Sequence, residues 1–378
     1  MVTTKTDETI RTSAGDSPDN GLKGLVLTGG KGSRLRPFTY TSAKQLVPIA
    51  NKPVVFYEIE QLVKAGITEI GVILGETAEQ VKGAIGDGSR FGARVTYLQQ
   101  EGPLGIAHAV RTADGFLGRS PFVLYLGDNF ILGGIKHYVE EFSAKGSNSK
   151  ILLHPVDNPQ AFGIADLDSD GRVRRIIEKP RDPPTNLAVI GLYMFDHNVL
   201  DVIDRLQPSG RGEYEITDAI QGLIDRGLRV DAEVMDRYWI DTGKMDDILN
   251  ANRMVLRTLE ARCQGSVDER SRVYDPVIVE EGARVLNSVL RGPLIIGRGT
   301  EIVDSYIGPC TSIDHGCHIK GCRIEDSVVM EETVIDEIHW PIVKSMIGRF
   351  VELHGAAGVG GGYSLTLGDH SRIAMPDG

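Results

Sequence analysis

From residue 22 onward, short β-branched runs alternate with stretches whose apolar residues recur at helical spacing. The pattern predicts a strand over 25–27 that ends in Gly29-Gly30, a helix over 53–65, a second strand over 69–74 and a helix over 78–85. It continues with a strand over 94–99, a helix over 107–113 and a fourth strand over 121–126 that ends at Gly127-Asp128-Asn129. Further strands are expected over 150–155, 163–167, 173–178, 187–195 and 230–235, and a long helix over 243–262 closes the unit. Strand and helix in turn, joined by short loops, imply an α/β fold with a mixed, mostly parallel sheet covered on both faces. In such sheets ligands bind beyond the carboxyl ends of the strands, which is where Gly29-Gly30 and Asp128 fall.

After residue 265 the rhythm changes. Ile296, Ile302, Ile307, Ile313 and Ile319 recur near every sixth position, with Gly, Asp, Glu and small residues between them. That is the signature of a parallel β-helix built from hexapeptide turns, with each aliphatic side chain inside the coil. The repeat slips by one residue around Tyr306, which implies a loop or an imperfect turn there. The Gly-rich tract 355–363 reads as a flexible loop before a last LGDHSRI turn, and residues 1–20 as a disordered leader without an apolar core.

Composition narrows the function. Of 378 residues, 41 are Lys or Arg and 52 are Asp or Glu, a formal charge of −11, which argues against a general nucleic-acid binder. An anionic substrate must meet a local group of cations instead. No run of about 18 apolar residues exists, so no membrane span is expected and the protein reads as cytoplasmic. Cys263, Cys310, Cys317 and Cys322 lack zinc-ligand spacing and read as buried free thiols. Glycine is in excess, 45 residues or about 12% against a usual 7% or so, and calls for phosphate-holding loops or repeated tight turns.

The densest chemistry is Leu27-Thr28-Gly29-Gly30-Lys31-Gly32-Ser33-Arg34-Leu35-Arg36-Pro37. It follows a strand, its backbone N–H groups can approach an anion closely, and it matches neither a Walker A loop nor a dinucleotide fingerprint. Arg34 and, ten residues on, Lys44 in Ser42-Ala43-Lys44-Gln45-Leu46-Val47-Pro48 make it a candidate polyphosphate cradle. Asp128 at a strand end and Asp241 in Trp239-Ile240-Asp241-Thr242-Gly243 are natural Mg²⁺ ligands, since Mg²⁺ takes one or two carboxylates plus phosphate and water oxygens. Taken singly, each aspartate reads as a turn residue or helix cap, and Glu178-Lys179 as a solvated pair.

LTGGKGSRLRPFT followed by SAKQLVPIANKP, QQEGPLGIAHA, LGDN, IIEKP, GLYMFD, GEYEITDAI and YWIDTG resembles, in order, the motifs of sugar-1-phosphate nucleotidylyltransferases. The likeness spans about residues 22–260 and is strongest to the long form of the glucose-1-phosphate thymidylyltransferase type. It implies a Rossmann-like nucleotidyltransferase domain at 21–262 and a left-handed parallel β-helix at 263–378. It implies a Mg²⁺-dependent union of dTTP with glucose 1-phosphate to give dTDP-glucose and pyrophosphate. Another nucleotide (UTP, GTP, CTP or ATP) or another sugar or cyclitol phosphate is the alternative, and a non-catalytic regulatory subunit is a further one. By the same resemblance Arg34, Lys44 and Lys179 are catalytic. Gly29, Gly30, Gly32, Ser33, Arg34, Lys44, Gln45, Gln100, Gly105 and Asp128 bind the nucleotide, with Gln100 and Gly105 reading the pyrimidine edge. Asn129, Gly163, Glu178, Lys179 and Ile190 bind the sugar phosphate, and Asp128 and Asp241 the metal. Phe162 stands where short forms carry Tyr, which removes a hydroxyl from the sugar pocket. His108 reads as a helix-face residue. His315, His318 and His339 lie in the repeat region without any acyl-carrier signal, so an acyltransferase is not expected. The β-helix is expected to make a homo-oligomer surface.

Overall fold

A computed structural model describes residues 21–30, 32–355, 370 and 372. The leader at 1–20 and most of the tract after 355 lie outside the described residues, as does Lys31. The first unit is a nine-stranded sheet in which 23–27 is central, flanked by parallel neighbours Glu69–Leu74 and Phe122–Leu126, with Arg94–Gln99 parallel beyond Glu69–Leu74. The other half is largely antiparallel: Leu187–Phe195 runs against Phe122–Leu126, Ser149–Pro155 and Gly163–Leu167, and Val230–Val234 adds a parallel edge to Ser149–Pro155. Alternation along each strand feeds two cores, so Val26, Val72 and Tyr125 pack on one side and Leu25, Ile73 and Leu124 on the other.

Leu187–Phe195 divides its partners: residues 192–195 pair with Phe122–Leu126, whereas Ala188 pairs with Ile164. Between them Gly191 donates its N–H to Asn129 Oδ1 at 2.9 Å, and a side-chain carbon at Gly191 would lie 2.5 Å from the Asn129 amide. The strands therefore part around Asn129, at the carboxyl ends of 23–27 and 122–126. That opening is where a substrate can reach the backbone.

The helix expected over 243–262 is shorter, Met245–Leu256. Lys244 opens it, with its N–H bonded to Asp247 Oδ2 at 3.0 Å. By Arg262–Cys263 the chain is already a strand of the next unit, paired with Val277–Val279. That unit is a three-faced parallel β-helix, with faces of six, six and five strands. Register runs from Val277 to Leu294 to Thr311, so a coil takes seventeen residues and not three full hexapeptides. The slip at Tyr306 is therefore a regular feature. Three successive coils are a residue short at the same corner, turning at Asn287, Asp304 and Gly321, all with positive φ (46°, 47° and 62°), whereas the later coils advance by sixteen or eighteen residues. After each corner a small buried side chain closes a ladder: Ser271 Oγ accepts from Ser288 N, Ser288 Oγ from Ser305 N, and Ser305 Oγ from Cys322 N. The thiols are not uniformly buried: Cys317 and Cys322 are, Cys310 is half-buried and Cys263 is exposed.

Candidate active site

Gly127 fixes how the site begins. Its N–H donates to Leu27 O at 2.8 Å, and a side-chain carbon there would sit 2.4 Å from that oxygen, so only glycine lets the two strand ends approach. Asp128 and Asn129 are thereby carried across the end of strand 23–27. Thr28 ties the opposite wall, giving both its N–H and its Oγ1 to Ile73 O at 2.9 and 2.7 Å. The loop then runs through half-buried Gly29 and exposed Gly30. Gly32 follows, its carbonyl accepting from Thr39 Oγ1. A short turn at Ser33–Leu35 directs Ser33 and Arg34 to solvent and buries Leu35. A second turn at Lys44–Leu46 buries Lys44 and Gln45, and Gln45 Nε2 reaches Gly29 O at 3.4 Å.

Lys44 is the hub. Its Nζ donates to Asp128 Oδ2 at 2.5 Å and stands 3.6 Å from Asp241 Oδ1, while Arg34 Nη2 is 3.6 Å from Asp241 Oδ2. Asp241 faces Asn129 across the antiparallel pair Asn129–Ile131 and Trp239–Asp241, and Thr242 donates its N–H and hydroxyl to Asp128 O, each at 2.8 Å. The Arg34 guanidinium lies over Gly243, where a side-chain carbon would meet Nη2 at 2.7 Å. Burial works against the Lys44 charge, but the two carboxylates outweigh it and hold the ammonium above its usual range. Burial also raises Asp241, helped by repulsion from Asp128. For Asp128, burial is overcome by Lys44, and the carboxyl is held below its usual range. Two carboxylates thus share one buried ammonium, and Asp241 Oδ1 is buried without a hydrogen-bond partner among the described residues. An orphaned carboxylate oxygen beside a second carboxylate is a donor set suited to a hard divalent cation.

A second cluster gathers around Glu178. Glu178 Oε1 is 3.1 Å from Arg211 Nη2 and 3.2 Å from Lys179 Nζ, and its Oε2 accepts from Thr217 Oγ1 at 3.1 Å. Lys179 sits at φ 41°, uncommon for a non-glycine residue, and is pinned there by its N–H bond to Phe162 O at 3.0 Å. Gly163 lies against this group, its α-carbon close to Thr217 and Glu178. The floor between the clusters is continuous. Asn129 Nδ2 bonds Asp128, Asn129 Oδ1 accepts Trp239 Nε1 at 2.8 Å, and the Trp239 ring meets Phe162 edge-on at 5.8 Å. Phe162 therefore contributes an aromatic wall. Burial pushes the Tyr193 phenol up, and both Glu178 and Asp128 add to the shift, so one hydroxyl senses both clusters.

Of the residues marked by the sequence, Arg34, Lys44, Asp128 and Asp241 lie together, Gln45 and Gln100 lie beside Gly29, and Gly163, Glu178 and Lys179 form the second group. The Ile190 side chain is fully buried in the core, so only its backbone can face a ligand, because the alternation that sends it inward leaves Gly191 at the opening. Gln100 gives both donors to the protein, Nε2 to Gly105 O and to His108 Nδ1, each at 3.2 Å, which leaves Oε1 toward Gly29. His108 is accordingly a partner of Gln100 and not merely a residue on a helix face. Arg211 was not singled out from the sequence. Its only local sign is a cation flanked by glycines in Ser209-Gly210-Arg211-Gly212, too common a pattern to stand alone. Glu58 was also missed: it is 1% exposed, and neither carboxyl oxygen has a hydrogen-bond partner among the described residues.

Paired cations beside paired carboxylates at the end of a central strand are an arrangement suited to polyanionic substrates and a divalent cation. The chain matches the family model described as nucleotidyl transferase over residues 23–258, and it belongs to that family. It is 49% identical over 355 residues to a glucose-1-phosphate thymidylyltransferase of Streptomyces antibioticus, covering 94% of this chain and 99% of the relative. It is 45% identical over 358 residues to the low-salt glycan biosynthesis nucleotidyltransferase Agl11 of Haloferax volcanii, covering 94% of this chain and all of the relative. A crystal structure assigned to a glucose-1-phosphate thymidylyltransferase of Bacillus anthracis, in complex with sucrose, superposes with a TM-score of 0.58 at 36% identity, covering 62% of this chain and 94% of that one. The first two likenesses run on through the β-helix.

Proposed function

We propose that the protein joins dTTP to glucose 1-phosphate, releasing pyrophosphate and dTDP-glucose, with residues 21–262 carrying the chemistry and 263–378 the β-helix. The observation that carries this reading is the Lys44 ammonium held between Asp128 and Asp241, with Arg34 beside them. The names of the full-length relatives point to the same substrates.

An oxygen of the sugar phosphate attacks the α-phosphorus of the nucleotide, the bond to the β-phosphate breaks, and its electron pair leaves with pyrophosphate. Two polyanions must be brought together in line, so positioning and charge neutralisation carry the rate. Arg34 and the glycine loop at 29–32 hold the β- and γ-phosphates, and Lys44 neutralises the α-phosphate. Lys179 and Arg211 hold the attacking phosphate, Glu178 accepts from the sugar hydroxyls, and Gly163, Asn129 and the Ile190 backbone line the ring. Gln100 Oε1 accepts from the N–H of a thymine edge beside Gly105. Asp128 and Asp241 would hold Mg²⁺, which when bound supplies positive charge against the phosphates.

No helix among the described residues is long and apolar enough to cross a membrane. We place the enzyme in the cytoplasm as a homo-oligomer. Val273, Tyr274, Trp340, Val343 and Phe350 of the β-helix are large apolar side chains exposed on the single chain, and they support self-association. Purified protein given dTTP, glucose 1-phosphate and Mg²⁺ should release pyrophosphate. Turnover with another nucleotide and none with dTTP would overturn the thymidylyl reading.

A further inference from the structure

The β-helix does not hang free of the site; it touches the segment that carries Arg34 and Lys44 along much of its length. Leu35, next to Arg34, and Val47, three residues after Lys44, are buried in one apolar cluster with Ile248 and with Met330 of the β-helix, and Phe38 and Met346 pack against it. Gly348 lies under the Phe38 ring, where a side-chain carbon would stand 3.7 Å from the ring edge. Arg349 Nη1 donates to Ser42 Oγ at 2.9 Å, and the same guanidinium is anchored by Glu331 at 2.8 Å.

A second line of contacts fixes the far end of the segment. Ala50 and Asn51 make the turn between Pro48–Ile49 and Lys52–Pro53 with positive φ at both residues (47° and 60°), strained for alanine. That turn is held from outside. Ala50 N donates to Oδ1 of fully buried Asn252, which also accepts from Ser312 Oγ at 3.0 Å and donates to Cys310 O at 3.1 Å. Asn51 Nδ2 donates to Ile313 O at 2.7 Å. Ile278 and Ile295 of the β-helix share a core with Ile49, Val54, Phe130 and Val255. The segment's own hydrogen bonds are sparse short-turn bonds, such as Leu35 N to Gly32 O and Val47 N to Lys44 O. From the catalytic side the segment is held by Gln80, whose Oε1 accepts from Ala43 N at 2.7 Å and whose Nε2 donates to Thr41 O at 3.0 Å, and by Ala43 and Leu46 in the main core. The β-helix contacts hold Leu35, Ser42, Val47 and Asn51, so the placement over Asp128 and Asp241 depends on both supports.

We propose that the β-helix is a positioning element of the nucleotidyl-transfer site, with Met330 and Arg349 setting Arg34 and Lys44 over the two aspartates. This rests on the proposed function, and it assigns the β-helix a part in the chemistry apart from assembly. Displacing a group by an ångström can cost about a hundredfold in rate. Met330→Ala and Arg349→Met, each in the full chain, should lower kcat/KM for dTTP at least about tenfold on the same argument, with KM for glucose 1-phosphate little changed because Lys179 and Arg211 lie outside the seam. Met330→Leu and Arg349→Lys should recover most of the loss.

Ile302→Ala is the control: it opens a cavity in a different face of the β-helix, where Ile302 is fully buried. It should lower Tm while leaving kinetics unchanged below the transition. Hydrogen exchange gives a readout independent of turnover, since the amides of Leu35, Leu46 and Val47 should exchange faster in Met330→Ala than in the wild type. Wild-type kinetics and exchange in both seam variants, or equal losses in Ile302→Ala, would overturn the proposal. A wild-type protein that releases no pyrophosphate would instead count against the function, and exchange would still decide the bracing.

Discussion

Lys44 Nζ lies 2.5 Å from Asp128 Oδ2, and this pair of a buried ammonium and a half-buried carboxylate is the pivot of the site. It joins the loop after the first strand to the end of the fourth, so the cation proposed for the phosphates and a carboxylate proposed for the metal are placed by one contact. Breaking such a pair from one side leaves the other charge uncompensated. Lys44→Met should therefore lower kcat by about a hundredfold or more and also lower Tm, as steady-state kinetics and a thermal melt would show.

Asp128→Asn keeps the shape and leaves Lys44 its neighbour Asp241. It should cut activity by about a hundredfold or more while moving Tm by only a few degrees, and it should weaken the dependence on Mg²⁺. A magnesium titration of rate beside a thermal melt checks both. An unchanged rate would mean that the metal ligands are elsewhere.

Arg211 and Lys179 both meet Glu178 at Oε1, and the proposed function makes the two cations the holder of the sugar phosphate. Arg211→Ala should raise KM for glucose 1-phosphate by about tenfold, the scale of one lost charge-assisted contact, with KM for dTTP nearly unchanged. A matching rise in both constants would place Arg211 outside the sugar-phosphate subsite.

His108 accepts from Gln100 through Nδ1 and so holds the amide with Oε1 toward the nucleotide loop. With Gln100 reading the base as proposed, a base with an N–H at that edge is favoured, and cytosine, with an acceptor there, is not. His108→Leu frees the amide to turn and should narrow the preference for dTTP over dCTP by about tenfold, read as a ratio of kcat/KM values.

Glu58 gives a pH prediction. Burial raises its carboxyl well above the usual value, repulsion from Asp128 adds to that, and Lys44 opposes it; its charge in turn raises the Tyr125 phenol. An acid whose folded pKa is raised binds more protons in the folded state, so its stabilising contribution falls as pH rises from the ordinary carboxyl value toward the folded one. Glu58→Gln removes that loss. Its Tm advantage over the wild type should be small at pH 5 and should grow by at least about 3 °C by pH 8. A constant difference would mean that the folded Glu58 carboxyl is not raised above its ordinary range.

What could be read in advance was local in sequence. Thr28 to Arg36 and Gly127 to Asn129 show their chemistry because a strand end, a glycine and a charged side chain are contiguous. The coil of the β-helix shows because its period is short, although one interval at Tyr306 could not reveal that three successive coils are cut at the same corner. What was hidden depends on long-range contact. Arg211 reaches Glu178 across 33 residues, and Arg349 reaches Ser42 across 307. For Ile190 the resemblance marks the position and not which way alternation turns the side chain, which is buried in the core. Glu58 looks like any polar residue on a helix until its burial is seen.

The most direct test is a matrix of nucleoside triphosphates against sugar 1-phosphates, with pyrophosphate release followed in the presence of Mg²⁺. The arrangement of Lys44, Asp128, Asp241, Gln100 and Arg211 predicts the highest kcat/KM for dTTP with glucose 1-phosphate, and none without the divalent cation. A matrix with no turnover in any cell, or with a purine nucleotide as the preferred substrate, would contradict it.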